Sequence, residues 1–346
     1  MLTVKFLART SATEDPALWT SLLPGGDPTA FGVRYTFDLH ARDYDYLVVY
    51  EDLPYPEDSK RSQRVEPLAC ARANTLFVTT EPTSIKVYGR HYLRQFGHVL
   101  SRQPREVVDH PGHIHRTPPL RWYYGRPFGE GAYMSVDQLV AHDPAKTRDT
   151  STVCSAKRMT DTLHAQRYDF TFALPELMEI DIFGRGVRPI ADKAEAMDPY
   201  RYHLAVENHI SPGHWTEKIA DCFLAGCLPF YYGPPDIGDV FPPESMIPVD
   251  IFDVEGSAEI MRKAVRDDAY TRALPALREA KRRVLEDGNI LKACADIALE
   301  THTPGQPGGE VLGRHAFRRA HPVLAARDAV WSKRMRSVGE KTLGAN

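Results

Sequence analysis

The chain has 346 residues, a formal net charge of -3, 42% hydrophobic and 26% charged residues. The length favours two domains, and the composition is typical of a soluble globular protein that can build sizeable cores. The small net charge argues against a nucleic-acid binder, and no segment has the roughly 18 consecutive apolar residues of a membrane helix. No basic region followed by an apolar core opens the chain, so we expect no signal peptide. The five cysteines include no CxxC pair, which fits reduced thiols.

The first part of the chain predicts strands alternating with helices. Apolar and β-branched runs indicate strands of a buried parallel sheet at 2–8, 44–53, 75–83 and 96–103. Pro82 should end the third of these strands. Residues 104–130 are rich in Pro, His and Arg and show no clear period. They predict long surface loops, which are often functional in compact domains.

A second alternating unit follows a connector at 143–150. Its strands are predicted at 151–158, 179–186, 200–208, 228–233 and 246–252, and its helices at 160–174, from Thr216, at 257–265 and at 273–288. From Thr301 the tail is first rich in Pro and Gly and then basic, which predicts a solvated helix packed on the body. A basic helix resting on a membrane surface is the alternative. The predicted domains are 1–145, 151–300 and a partly helical, basic tail at 301–346.

The stretch AVENHISPGHWTEKIADCFLAGCLPFYYG (205–233) places polar residues around one loop. Apolar residues at 219–227 follow helical spacing and Thr216 suits an N-cap, so Glu217 and Lys218 lie in the first helical turn. A helix N-terminus attracts phosphate through free N–H groups and a partial positive charge. A lysine is unfavourable there unless it meets an anion. Otherwise Glu217 is an ordinary N-terminal acid and Lys218 a solvated side chain.

Glu207 and Asn208 end the strand that precedes this loop. In open α/β sheets, ligands bind beyond the carboxyl edges of the strands. An asparagine can donate and accept, so Asn208 suits a sugar or a phosphate, although it is also a common turn residue.

Residues 200–253 resemble the donor-site signature of the α-1,3/4-fucosyltransferases, glycosyltransferase family 10. The shared pattern is an apolar strand ending in Glu-Asn, a short loop, Thr-Glu-Lys opening a helix, an apolar strand ending in Gly, and then a Phe-hydrophobic-Pro segment. IDIFGRG at 180–186 resembles the family too, whereas the N-terminal half matches loosely. The resemblance implies an α/β fold of GT-B type, with two Rossmann-like domains facing across a cleft. It also implies an inverting enzyme that moves L-fucose from GDP-β-L-fucose to a glycan hydroxyl, in an α-1,3 or α-1,4 linkage.

The resemblance also implies a set of donor-binding residues. Glu217 would hold the ribose and Lys218 would neutralise the diphosphate. Asn208 would lie near the nucleotide, with Glu207 beside it.

Two further donor contacts come from the resemblance. The family has an Arg that contacts the phosphates from the helix opening the donor domain. Arg167 matches it, and Arg158 is the reserve candidate. His214 stands where the family often has a phosphate-contacting Tyr. A histidine there could donate to phosphate and would add a pH dependence, or it could mark an altered donor contact.

An inverting transfer needs a carboxylate that accepts the proton of the attacking hydroxyl. Glu81 follows an apolar strand, and by order it matches the family's Glu in the first domain. Glu51 and Asp52 also follow a strand and are rivals. Each of these acids could instead be a solvated residue at a strand end.

No metal or other cofactor is expected beside the donor substrate. The motif DHPGHIHR (109–116) contains zinc-ligand types, but its prolines and glycine favour a surface or acceptor loop. Lys218 and Arg167 would supply the positive charge. Expected partners are GDP-fucose and a glycan, without nucleic acid. The expected location is the cytoplasm, with peripheral contact to the inner face of the membrane as a further option. The alternative functions are a GT-B transferase using another nucleotide sugar and a non-catalytic glycan-binding relative.

Overall fold

The structure is a computed structural model. It describes residues 1–10, 16–56, 58–59, 61–117, 119–128, 131–156 and 162–343. The reserve candidate Arg158 lies outside these residues. The described chain forms two compact units, the first made of 1–119 with 290–346 and the second of 120–289.

The strands are β1 (Thr3–Ala8), β2 (Arg34–Thr36), β3 (Tyr46–Tyr50), β4 (Val65–Pro67), β5 (Thr75–Val78), β6 (His98–Ser101), β7 (His113–His115), β8 (Arg148–Val153), β9 (Asp181–Phe183), β10 (Tyr200–Val206), β11 (Leu228–Tyr232), β12 (Ile247–Pro248) and β13 (Glu310–Leu312). The α-helices are α1 (Ala17–Thr20), α2 (Arg90–Leu93), α3 (Arg105–Val108), α4 (Val136–Ala141), α5 (His164–Ala173), α6 (Ala194–Met197), α7 (Glu217–Leu224), α8 (Val254–Arg266), α9 (Ala269–Glu286), α10 (Ile290–Thr301), α11 (Arg314–Ala320) and α12 (Pro322–Leu343). Short 3₁₀ helices occur at Pro24–Gly26, Arg72–Asn74, Leu174–Glu176, Ile237–Asp239 and Pro243–Ser245.

The first unit is built on a parallel sheet with the strand order β2-β1-β3-β5-β6-β7. Every residue of the central strands β3 and β5 is buried, because helices and loops cover both faces of such a sheet. This burial explains why these strands consist of continuous apolar runs. One core cluster joins Phe77 of the sheet and Tyr92 of α2 to Val311 and Phe317 of the C-terminal segment.

The C-terminal segment completes the first unit. Strand β13 pairs antiparallel with β4. The buried carboxylate of Asp328, on α12, accepts hydrogen bonds from the backbone N–H groups of His91 and Tyr92, both at 3.0 Å. The predicted helical tail is therefore present. However, 290–300 was predicted in the second domain and belongs with the first unit.

The second unit is built on a parallel sheet with the strand order β12-β11-β10-β8-β9. Tyr202 and Phe230 stack across β10 and β11 with ring centroids 5.2 Å apart. Residues 120–145, predicted in the first domain, pack with this unit. Both units are thus parallel αβ layers of the Rossmann-like kind that the sequence predicts.

Three predicted segments differ locally from the structure. Strand β5 ends at Val78 instead of reaching 83. Pro82 begins a turn in which its carbonyl accepts the N–H groups of Ile85 and Lys86. The predicted loop at 104–130 contains α3 and the edge strand β7. The predicted strand at 246–252 is reduced to β12. Among the described residues, no helix has both the length and the apolar character needed to cross a membrane.

Candidate active site

Helix α7 begins where the sequence predicts and ends at Leu224. The Thr216 hydroxyl accepts the N–H of Lys218 as an N-cap. Beyond its C-cap residue Ala225, Gly226 adopts a left-handed φ of 68° and donates its N–H to the carbonyl of Phe223. The N–H of Cys227 reaches back to the carbonyl of Cys222 at 2.8 Å, which completes a Schellman motif. Both helix ends are therefore fixed, and the first turn is held against the end of β10.

Glu207 fixes the start of this helix. Its side chain is fully buried just after β10, and its Oε1 accepts the N–H of Thr216 at 2.9 Å and the hydroxyl of Tyr231 at 3.2 Å. Its Oε2 accepts the Thr216 hydroxyl at 2.6 Å and lies 3.3 Å from Nζ of Lys218. One carboxylate thus connects β10, β11 and α7.

Lys218 lies among acids. Its Nζ donates to the Thr216 hydroxyl at 2.9 Å and is 3.3 Å from Oε1 of Glu217. Burial alone lowers the pKa of Lys218, but the carboxylates of Glu207 and Glu217 outweigh burial and raise it. Burial alone raises the pKa of Glu217, but Lys218 and Lys193 outweigh it and lower that pKa to about 2. Both groups at the start of α7 are charged at neutral pH.

A cavity of about 270 Å³ lies at the carboxyl ends of β8 and β10. Its lining includes four predicted donor-binding residues: Arg167, Asn208, Glu217 and Lys218. Arg167 is in the first turn of α5, and Glu217 and Lys218 are in the first turn of α7. Two helix N-termini and two cations at one cavity favour an anionic ligand.

Two buried polar atoms of these residues have no hydrogen-bond partner within the described part of the chain. They are Nε of Arg167, a donor, and Oδ1 of Asn208, an acceptor. An unsatisfied buried polar group costs about 1–3 kcal/mol. A polar ligand that accepts from Arg167 and donates to Asn208 would remove that cost.

The segment that forms this cavity is similar to a known family of proteins. Residues 144–274 match the model of the glycosyltransferase family 10 (fucosyltransferase) C-terminal domain. The match covers fewer than half of the 346 residues, so it is this segment that is similar to the family's domain. Alpha-(1,3)-fucosyltransferase C of Drosophila melanogaster is 33% identical over 105 residues, 28% of this chain and 25% of the fly protein. The aligned part therefore spans about a quarter of that curated relative.

The comparison with solved structures covers a longer part of the chain. An alpha1,3-fucosyltransferase with GDP-fucose has 16% sequence identity and a TM-score of 0.47, with coverage of 89% of this chain and 93% of that chain. An alpha-glucosyltransferase in complex with UDP and DNA has 11% identity and a TM-score of 0.52, with coverage of 86% and 100%. With the two parallel αβ units, the second likeness supports the predicted GT-B type of fold.

The cavity includes residues that the sequence did not indicate. Lys193 precedes α6, and its Nζ pairs with the buried carboxylate of Asp221. His203, on β10, pairs through Nδ1 with the hydroxyl of Ser151 at 2.8 Å. Burial, followed by the charges of Lys193 and Lys146, lowers the pKa of His203 to about 3, so it is neutral at pH 7. Only tertiary packing brings Lys193 and His203 to the cavity.

Two predicted donor contacts do not line this cavity. Glu207 is buried behind α7, and its oxygens bond to the protein. His214 is 8% exposed, and its ring lies 5.5 Å from that of His209. Burial and then Lys218 lower the pKa of His214 to about 4. His214 therefore gives no support to the expected pH dependence of donor binding near neutrality. Glu207 acts as a structural clamp on the start of α7.

The candidate bases lie in the first unit. Asp52 is buried and accepts from the N–H of Leu53 and of Arg314 and from the Tyr92 hydroxyl, which makes it an anchor of the C-terminal segment. Glu51 follows β3 with a φ of 69°, a rare backbone conformation for a glutamate. Glu81 is half-buried, three residues beyond β5, and its backbone carbonyl accepts from Gln103 at 2.7 Å. Its catalytic role stays a prediction.

The histidines at 109–116 serve the fold. Nε2 of His110 pairs with the carbonyl of Phe96 at 3.1 Å, and Nε2 of His113 pairs with that of Ser101 at 3.2 Å. Across the described ranges, no group of three or more His, Cys, Asp or Glu side chains is arranged to hold a metal ion. Metal independence stays a prediction.

Proposed function

We propose that the protein transfers L-fucose from GDP-β-L-fucose to a glycan hydroxyl, inverting the anomeric centre and forming an α-1,3 or α-1,4 linkage. One observation carries the proposal. A cavity in the family 10 domain gathers Arg167, Asn208, Glu217 and Lys218, and two of these residues present buried polar atoms without a protein partner in the described chain. This is the environment that a nucleotide diphosphate requires.

In this proposal the cavity stabilises the leaving group. Arg167 and Lys218 face the diphosphate, where negative charge grows as the bond from the anomeric carbon to GDP breaks. Glu217 is ionised at neutral pH and accepts hydrogen bonds from the ribose hydroxyls. Asn208 bonds to the nucleotide through its Oδ1. Because fixed cations supply the positive charge, activity should persist in EDTA.

The acceptor oxygen attacks the anomeric carbon from the face opposite GDP. The new C–O bond forms as the bond to GDP breaks, and the hydroxyl proton passes to the base, for which we propose Glu81. A single displacement inverts the anomeric centre, so a β-linked donor gives an α-fucoside.

Thermal unfolding with GDP, UDP, ADP and CMP tests the donor. A ligand at about 100 times its Kd stabilises the protein by ~2.7 kcal/mol, so GDP should raise Tm more than the other nucleotides. A larger effect of UDP would instead support a different nucleotide sugar. Mass spectrometry of a glycan panel incubated with GDP-fucose then tests transfer. GDP binding without transfer or donor hydrolysis would favour a non-catalytic glycan-binding relative.

A further inference from the structure

Lys193 is a third cation of the cavity, beside Arg167 and Lys218. Its side chain is 13% exposed, so the ammonium group is largely removed from bulk water. Burial lowers the pKa of Lys193, and Asp221 and Glu217 outweigh burial and raise it. A charged, largely desolvated ammonium group therefore forms part of the cavity wall.

Asp221 holds this ammonium group in place. Its carboxylate is fully buried on α7, and one oxygen accepts the N–H groups of Tyr123 at 2.9 Å and Tyr124 at 3.0 Å. The other oxygen accepts from Nζ of Lys193. Because both oxygens are engaged, Lys193 is fixed relative to the helix that carries Lys218.

The bond to Asp221 uses one N–H of the ammonium group, which has three. Within the part of the chain that the structure describes, Nζ of Lys193 makes no other hydrogen bond. A lysine that served only to neutralise Asp221 would not need to line the cavity, and a buried ammonium with unused donors calls for an acceptor. Oε1 of Glu217 lies 3.3 Å from Nζ of Lys218, and the charges of Lys218 and Lys193 lower the pKa of Glu217.

We propose that Lys193 is a donor-binding residue, whose ammonium group binds an anionic oxygen of the nucleotide diphosphate, and that Asp221 is the residue that positions it. This inference rests on the proposed function. It adds a contact that lies outside the Glu-Asn and Thr-Glu-Lys segments.

The test compares the double variant Lys193→Met/Asp221→Asn with the wild type. The amide oxygen of the introduced asparagine would still accept the N–H groups of Tyr123 and Tyr124, and no buried charge would be left alone, so the variant should fold. Titration calorimetry with GDP should show an affinity about 10- to 100-fold lower, the size expected for one charge-assisted contact. Guanosine, which lacks phosphate, should bind both proteins equally. Asp221→Asn alone keeps the cation without its anchor and should show a smaller loss.

Lys281→Met is the matched control. Lys281 is a half-buried lysine of the same unit whose Nζ donates to the carbonyl of His142 at 2.6 Å, and it does not line the cavity. This variant should bind GDP as the wild type does. Thermal unfolding of each protein reports whether it is folded.

Two results would overturn the assignment of Lys193. One is unchanged GDP affinity in the folded double variant. The other is an equal loss of GDP and guanosine affinity, which would indicate a general distortion. If the wild type does not bind GDP, the proposed donor fails, and inorganic pyrophosphate becomes the probe for Lys193. Pyrophosphate binding that is lost in the double variant would then support Lys193, and its absence in the wild type would refute both proposals.

Discussion

Replacing Glu207 with Gln tests whether this residue clamps α7 or contacts the donor. The carboxylate accepts from Thr216 twice, from Tyr231 and from Lys218, all within 3.3 Å. Glutamine keeps one acceptor oxygen and replaces the other with an amide NH₂. That NH₂ would face the hydroxyl of Thr216 and the ammonium group of Lys218, which both donate to Glu207 in the wild type.

The expected loss of stability follows from the burial of the ion pair between Glu207 and Lys218. The Glu207 side chain is 1% exposed and that of Lys218 18% exposed. Breaking a buried ion pair costs about 3–5 kcal/mol. Lys218 keeps Glu217 as a second partner at 3.3 Å. We therefore expect a loss of stability at the lower end of that range, ~3 kcal/mol. At about 2–4 °C per kcal/mol, the expected fall in Tm is roughly 6–12 °C.

The assay is thermal unfolding without ligand, followed by GDP titration at a temperature where the variant is folded. The control is Glu279→Gln, because Glu279 lies at the surface of the same unit, where Arg282 and Arg283 pair with it at 2.9 and 2.8 Å. Surface pairs contribute little, so its Tm should change little. A clamp role requires a large fall in Tm for Glu207→Gln alone.

An unchanged Tm together with a marked loss of GDP affinity would refute this reasoning. It would show that Glu207 contacts the donor, as the resemblance implies.

Four further predictions concern other residues. Lys218→Ala should weaken GDP binding about 10- to 100-fold in titration calorimetry, and unchanged affinity would remove Lys218 from the site. Glu81→Gln should lower kcat by about 10²- to 10⁴-fold in a transfer assay while GDP affinity is kept; undiminished turnover would mean that another group is the base. His203 favours unfolding as pH falls from 6.5 towards about 3, because in that range the unfolded chain binds its proton and the folded chain does not. In this range His203 lowers the free energy of unfolding by up to ~1.4 kcal/mol for each pH unit, as measured by urea unfolding. His203→Gln should therefore make the free energy of unfolding depend less steeply on pH. Glu66→Gln should cost about 3–5 kcal/mol in thermal unfolding, because Glu66 and Lys5 form a fully buried pair at 2.8 Å; an unchanged stability would contradict this reasoning.

The sequence predicts strand interiors better than strand ends. Residues 46–50 are buried on both faces, so each is apolar or aromatic, and the run is unambiguous. Thr79 and Thr80 continue the β-branched pattern, yet strand β5 ends before them, at Val78. Composition does not contain that information, since strand ends depend on neighbouring strands and on turns such as the one beginning at Pro82.

Residues of the candidate site could be predicted where they lie close together in the chain. Asn208, Glu217 and Lys218 belong to one loop and one helical turn, whereas Arg167 follows only from the family resemblance. Lys193 carries no local signal, because only the buried carboxylate of Asp221 brings it to the cavity. The clamp role of Glu207 could not be predicted either, because it depends on a tertiary contact with Tyr231 on the next strand.

The first unit is interrupted in the chain, and this has a consequence for its biosynthesis. Residues 1–119 leave the ribosome before residues 290–346, which supply Val311 and Phe317 to the same core. The second unit, contained within 120–289, has all its strands available earlier. The half of the molecule that is synthesised first is therefore the half that completes its core last. Until then, the apolar surface that Val311 and Phe317 later cover stays open to chaperones and proteases.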